Sequence, residues 1–94
     1  MGRLFDTIRA LVAGGRYVVG QHATERPDER GVLKWQIVDG VGGGALIIER
    51  PDALPNPAVE VRQSLADGTE VKAVWSHLVS PDVAKLVTVH FFDE

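Results

Sequence analysis

Val38-Asp39-Gly40-Val41-Gly42-Gly43-Gly44-Ala45-Leu46-Ile47-Ile48-Glu49-Arg50 is the stretch at which the chain changes character. Before the three glycines apolar residues recur at helical spacing. After them come short runs rich in β-branched residues, bounded by turn signals. A phosphate-binding glycine loop precedes a helix, whose amides then face the ligand. Here the glycines end a helix and precede a strand, so they read as a flexible joint between a helical third and a sheet.

Working back from the joint, Leu33, Ile37 and Val41 form one stripe with Trp35 and Val38 on its flank, which predicts a short helix from Leu33 to Val41. Gln21 to Arg30 has helix-forming composition but contains Pro27, so a helix there breaks or bends at that residue. Tyr17-Val18-Val19 is a short extended piece. From Arg3 to Ala13 the apolar residues Leu4, Phe5, Ile8, Leu11 and Val12 share one helical face, and Gly14-Gly15 supplies the stop.

Working forward, four strands are predicted at Ala45 to Arg50, Ala58 to Leu65, Thr69 to Leu78 and Lys85 to Phe92. Asp67-Gly68 marks a hairpin and Ser80-Pro81-Asp82 a tight turn, while Pro51 to Pro57 forms a looser connection because its prolines block strand pairing. The expected architecture is therefore α+β, with N-terminal helices packed on a four-stranded antiparallel sheet in meander order.

With 94 residues the chain makes one domain, from residue 1 to 94, and one modest core. It has no cysteine, hence neither disulfide nor thiolate metal site. The three histidines, His22, His77 and His90, include no closely spaced ligand pair, so zinc is not expected unless folding gathers them. No apolar run reaches the length of a membrane span and the first residues mix charges with apolar positions, which together suggest a cytoplasmic chain without membrane contact. The net charge of -3 has the wrong sign for holding nucleic acid by overall charge, so any polyanion site must be a local patch. Arg16, Arg26 and Arg30 lie close in sequence, and acids gather at Asp82, Asp93 and Glu94.

The most informative string is His22-Ala23-Thr24-Glu25-Arg26-Pro27-Asp28-Glu29-Arg30-Gly31-Val32. On a helix His22 and Arg26 lie one turn apart on one face, where an imidazole and a guanidinium reach the same anionic group. Arg30 continues that row unless Pro27 rotates it away. The competing view is a charged surface helix with weak ion pairs. In the last strand, alternation sends Val87, Val89 and Phe91 one way and Thr88 and His90 the other, with Leu86 and Phe92 on the latter side. Depending on register, either Lys72 or the pair Trp75 and His77 joins Thr88 and His90. Trp35 and Trp75 read as core residues.

His22-Ala23, Arg26 and Glu29-Arg30-Gly31-Val32, followed by a short helix, a proline-containing stretch and the terminal Val87-Thr88-Val89 strand, resemble the bacterial domain of unknown function 4258. The similarity runs from about Tyr17 to Phe92, and that family is similar in turn to RelE, BrnT and colicin-like small ribonucleases. The resemblance implies a RelE or barnase-like arrangement and a toxin-type endoribonuclease acting on RNA or the ribosome without a metal or any other cofactor. His22, Arg26, Thr88 and His90 would be the catalytic groups, with Arg30 and Lys72 holding nucleic acid. It also implies a cognate antitoxin-like protein as a partner. The sequence departs from the family pattern in Pro27, in Leu33 where a polar cap is expected, and in its acidic balance. The alternative is a non-catalytic module that keeps the fold and binds a protein or itself, and a third possibility is an accessory domain without accessible chemistry.

Overall fold

The computed structural model describes residues 3–20, 36–65 and 68–92. Its elements are α1 (Arg3–Ala13), β1 (Tyr17–Val19), a helical turn over residues 36–40 continuing into a 3₁₀ turn at Val41–Gly43, then β2 (Ala45–Arg50), β3 (Ala58–Ser64), β4 (Glu70–Leu78) and β5 (Val83–Phe91). The class is α+β. Among the described residues five strands, not four, form one sheet in the order β1-β5-β4-β3-β2.

The extra strand corrects the expected all-antiparallel sheet. β2 to β5 do form the antiparallel meander, but β1 joins the outer side of β5 in parallel, with Tyr17, Val18 and Val19 opposite Ala84, Lys85 and Leu86. Bonds from Ala84 N–H to the Arg16 carbonyl and from Gly20 N–H to the Leu86 carbonyl extend this pairing at both ends. Parallel neighbours need a connection of a dozen residues or more, and here everything from Gly20 to the β4–β5 turn lies between the two strands. Alternation explains the fit, since Tyr17 and Val19 pack on the core and Val18 points away.

α1 covers one face of the sheet because its apolar stripe buries Phe5, Ile8 and Val12. Its end is a Schellman closure, with Arg16 N–H bonded to the Leu11 carbonyl and Gly15 N–H to the Val12 carbonyl. At its start Glu49 on β2 accepts a 2.8 Å bond from the Phe5 amide, satisfying one of the donors a helix leaves unpaired. Ile37, Val38 and Val41 of the second helical segment are buried in the same cluster, as their spacing predicts; Leu33, Lys34 and Trp35 lie outside the described residues. Trp75 is fully buried at the centre, and its indole N–H donates to Gln63 Oε1 at 3.2 Å. The Gln63 amide in turn donates to the Ile37 carbonyl at 2.9 Å, tying sheet to helix.

Two turns show what their sequences were for. In the β3–β4 hairpin Leu65 N–H bonds to the Thr69 carbonyl and Gly68, at φ +88°, donates to the Leu65 carbonyl; that dihedral strains any residue with a Cβ. The triple glycine is more than a flexible joint. A Cβ on Gly44 would lie 2.5 Å from Val61 Cγ1 and 3.2 Å from the Arg62 carbonyl oxygen. Gly44→Ala is therefore expected to destabilise the fold by about 1–3 kcal/mol through overpacking. Urea denaturation checks this, with Gly42→Ala as the contrast, because nothing stands within 4 Å of a Cβ there.

Among the described residues no helix is long and apolar enough to cross a membrane. Arg16 does not contribute to an anion patch: its guanidinium donates to the carbonyls of Pro81 and Asp82, bracing the β4–β5 turn.

Candidate functional site

Among the described residues the helices pack on one face of the sheet, and the other, here the open face, meets only the loop after β2 at one end. Alternation fixes which side chains lie there, since Val59, Val61, Gln63, Val71, Ala73, Trp75, Leu86, Val89 and Phe91 all point into the core. Their neighbours Glu60, Arg62, Glu70, Lys72, Thr88 and His90 therefore share the open face, together with Arg50 at its border.

Register settles the choice left open by the sequence. Lys72 stands opposite His90, and Val74 opposite Thr88, so Lys72 joins Thr88 and His90. Trp75 faces the core, and His77 is engaged at the turn, its Nε2 2.8 Å from Asp82 Oδ1. The parity of β5 needs one correction. A bulge opposite the Val74–Trp75 step pairs Trp75 with Leu86 and Val74 with Thr88, so Val87 is the extra residue. Leu86 is consequently buried and Val87 exposed, the reverse of strict alternation, and Lys85 is carried to the open face with Thr88 and His90.

The open face holds Arg50, Arg62, Lys72 and Lys85 against Glu60 and Glu70, a surplus of cations in a chain whose net charge is -3. Arg62, Lys72 and His90 are successive cross-strand partners and form a row over β3, β4 and β5. Like charges directly opposite each other are unfavourable by some tenths of a kcal/mol, roughly 0.2–1. Carboxylates on the diagonals moderate this, with Glu70 3.5 Å from Arg62 and Glu60 3.6 Å from Lys72 and 3.1 Å from Arg50. Glu60 is partly buried in its two pairs and Glu70 is exposed in its own; what remains on this face is the excess of its four Lys and Arg side chains over these two carboxylates. At the end of the row the Arg62 guanidinium lies 4.8 Å from the centroid of the half-exposed Phe92 ring. A basic row bordered by an exposed aromatic suits the phosphates and bases of a single-stranded nucleic acid.

His22, Arg26 and Arg30 lie outside the described residues. Thus Lys72, Thr88 and His90 are brought to one face, and the groups expected opposite them are not described. Among the described residues no three His, Asp or Glu side chains gather as a metal site requires. Arg62 and Phe92 were missed as site residues, although the alternation of Val59 and Val61 with Glu60 and Arg62 already placed Arg62 opposite the core.

No protein-family model, curated protein or solved structure matches this chain.

Proposed function

We propose that this chain is a small RelE-like, toxin-type endoribonuclease that acts on RNA at the open face of its sheet by metal-free acid–base chemistry. The observation that carries this is the cross-strand row Arg62, Lys72, His90, with Thr88 beside it, on a face where, among the described residues, four Lys and Arg side chains stand against two carboxylates in a chain of net charge -3. The string from His22 to Val32 and its resemblance to the domain of unknown function 4258 supply the rest.

In this scheme Lys72 and Arg30 hold phosphates flanking the scissile one. One of the two imidazoles, His22 or His90, takes the proton of a ribose 2′-hydroxyl as that oxygen attacks phosphorus. The other gives a proton to the departing 5′-oxygen, so that a cyclic phosphate and a free hydroxyl result. The Arg26 guanidinium stabilises the added charge on the phosphorane, and the Thr88 hydroxyl orients a non-bridging oxygen. The substrate is RNA, free or on the ribosome, and an antitoxin-like partner would act by covering the cationic row.

The test is cleavage of a single-stranded RNA in the presence of EDTA. The wild-type chain is expected to cleave it and the His22→Ala, Arg26→Ala double variant to lose that activity while keeping a cooperative unfolding transition. Undiminished cleavage by the double variant would refute the assignment. The second reading, self-association through a sheet edge, draws on the exposed Ile47 and Ile48 of β2. The bulge between Leu46 and Ile48 interrupts the straight ladder that such pairing needs, which favours the RNA face.

A further inference from the structure

A hollow of about 230 Å³ lies at the other end of the open face, where the loop after β2 folds back over β4 and β5. Its apolar lining comes from Ala53, Leu54 and Pro55 of the loop, Leu54 itself 92% exposed, and from Ala58, Val74 and Val87 of the strands. Three polar side chains also line it: Asn56, Ser76 and Lys85. None of the three has a side-chain hydrogen bond or ion pair among the described residues. Ser76 is the telling one. The residue is only 8% exposed, yet its hydroxyl is not a buried unpaired atom, so the part of Ser76 that stays accessible is free to bond a ligand in the hollow. The bulge at Val87 builds the cavity, because it turns Val87 outward as a wall and brings Lys85 opposite Ser76.

We propose that this cavity binds one nucleotide of the RNA strand, its base between the apolar walls and its phosphate on Lys85. The inference rests on the RNA reading for the identity of its ligand. The hollow is smaller than the several hundred cubic ångströms of a drug-sized pocket, which suits a single ring system. Asn56 offers a donor and an acceptor to the edge of a planar base, and Ser76 offers one of each, while aliphatic walls accept the two faces. The site is continuous with the cationic row. Ser76 lies four residues along β4 from Lys72, about 13 Å at the usual strand rise, a distance that a short oligonucleotide spans.

The test is a titration of the isotope-labelled full chain with uridine 5′-monophosphate, followed by NMR. Shifts are expected at the Asn56 side-chain amide and at the backbone amides of Ser76 and Val87. Lys85→Met is expected to weaken binding about tenfold, the loss of one charge-assisted contact. Ala58→Leu, which fills the hollow without changing charge, is expected to abolish the shifts while the amide spectrum stays dispersed. The same shifts with inorganic phosphate alone, or unchanged binding by both variants, would overturn the proposal. An eight-nucleotide RNA that perturbs Arg62, Lys72 and His90 but leaves Asn56, Ser76 and Val87 unmoved would refute this site and leave the RNA face standing. A mononucleotide that enters the hollow while the oligonucleotide fails to bind would do the opposite.

Discussion

Gln63→Leu is expected to lower the free energy of unfolding by about 3 kcal/mol. The substitution nearly conserves volume, so little of that loss comes from a cavity. It comes from one buried donor left without a partner, the Trp75 indole N–H that donates to Gln63 Oε1, and from the loss of the bond that Gln63 Nε2 donates to the Ile37 carbonyl in addition to that carbonyl's helical bond. Both bonds are buried; the orphaned donor costs about 1–3 kcal/mol and the lost second bond to the carbonyl about 0.5–1.5 kcal/mol. A chain of this length has on the order of 5–14 kcal/mol in all. Urea denaturation should show the midpoint falling with the slope unchanged. Adding Trp75→Phe removes the orphaned donor, so the double variant should lose less than the sum of the singles. A Gln63→Leu protein as stable as the wild type would mean that the polar bridge between sheet and helix contributes nothing.

His90→Ala is expected to slow RNA cleavage by about 10²–10⁴-fold, the usual contribution of a positioned acid or base. His90 lies on the exposed side of β5 across from Lys72, so stability should change by under about 1 kcal/mol. Lys72→Ala is the useful contrast. A lysine that only holds a flanking phosphate should weaken binding of RNA while the rate at saturation stays near that of the wild type. Equal losses of binding and of saturated rate in both variants would place His90 among the phosphate holders and remove it from the chemistry.

Local signals were legible in this sequence, and long-range ones were not. The stripe from Leu4 to Val12 with Gly14-Gly15 gave α1 its bounds, and the glycines before Ala45 marked the start of β2. Tyr17 to Val19 could be read as extended, yet nothing local says that it lies parallel to β5, because that pairing joins residues more than sixty positions apart in the chain. The site followed the same division. Lys72, Thr88 and His90 were found because each strand alternates. Val87 was assigned to the core side because one extra residue, set by its partner strand, reverses the alternation. Lys85 and Ser76 were overlooked for that reason, and because the loop from Pro51 to Pro57 that covers them carries no periodic pattern.

The central claim is that the uncovered side of the sheet holds a polyanion, and the salt dependence of single-stranded RNA binding tests it most directly. Each phosphate neutralised contributes a slope of about -0.7 in log K against log salt. Arg62→Ala with Lys72→Ala is expected to flatten the wild-type slope by about 1.4 and to weaken binding at low salt. A slope identical in the two proteins, or no RNA binding by the wild type at low salt, would contradict the claim.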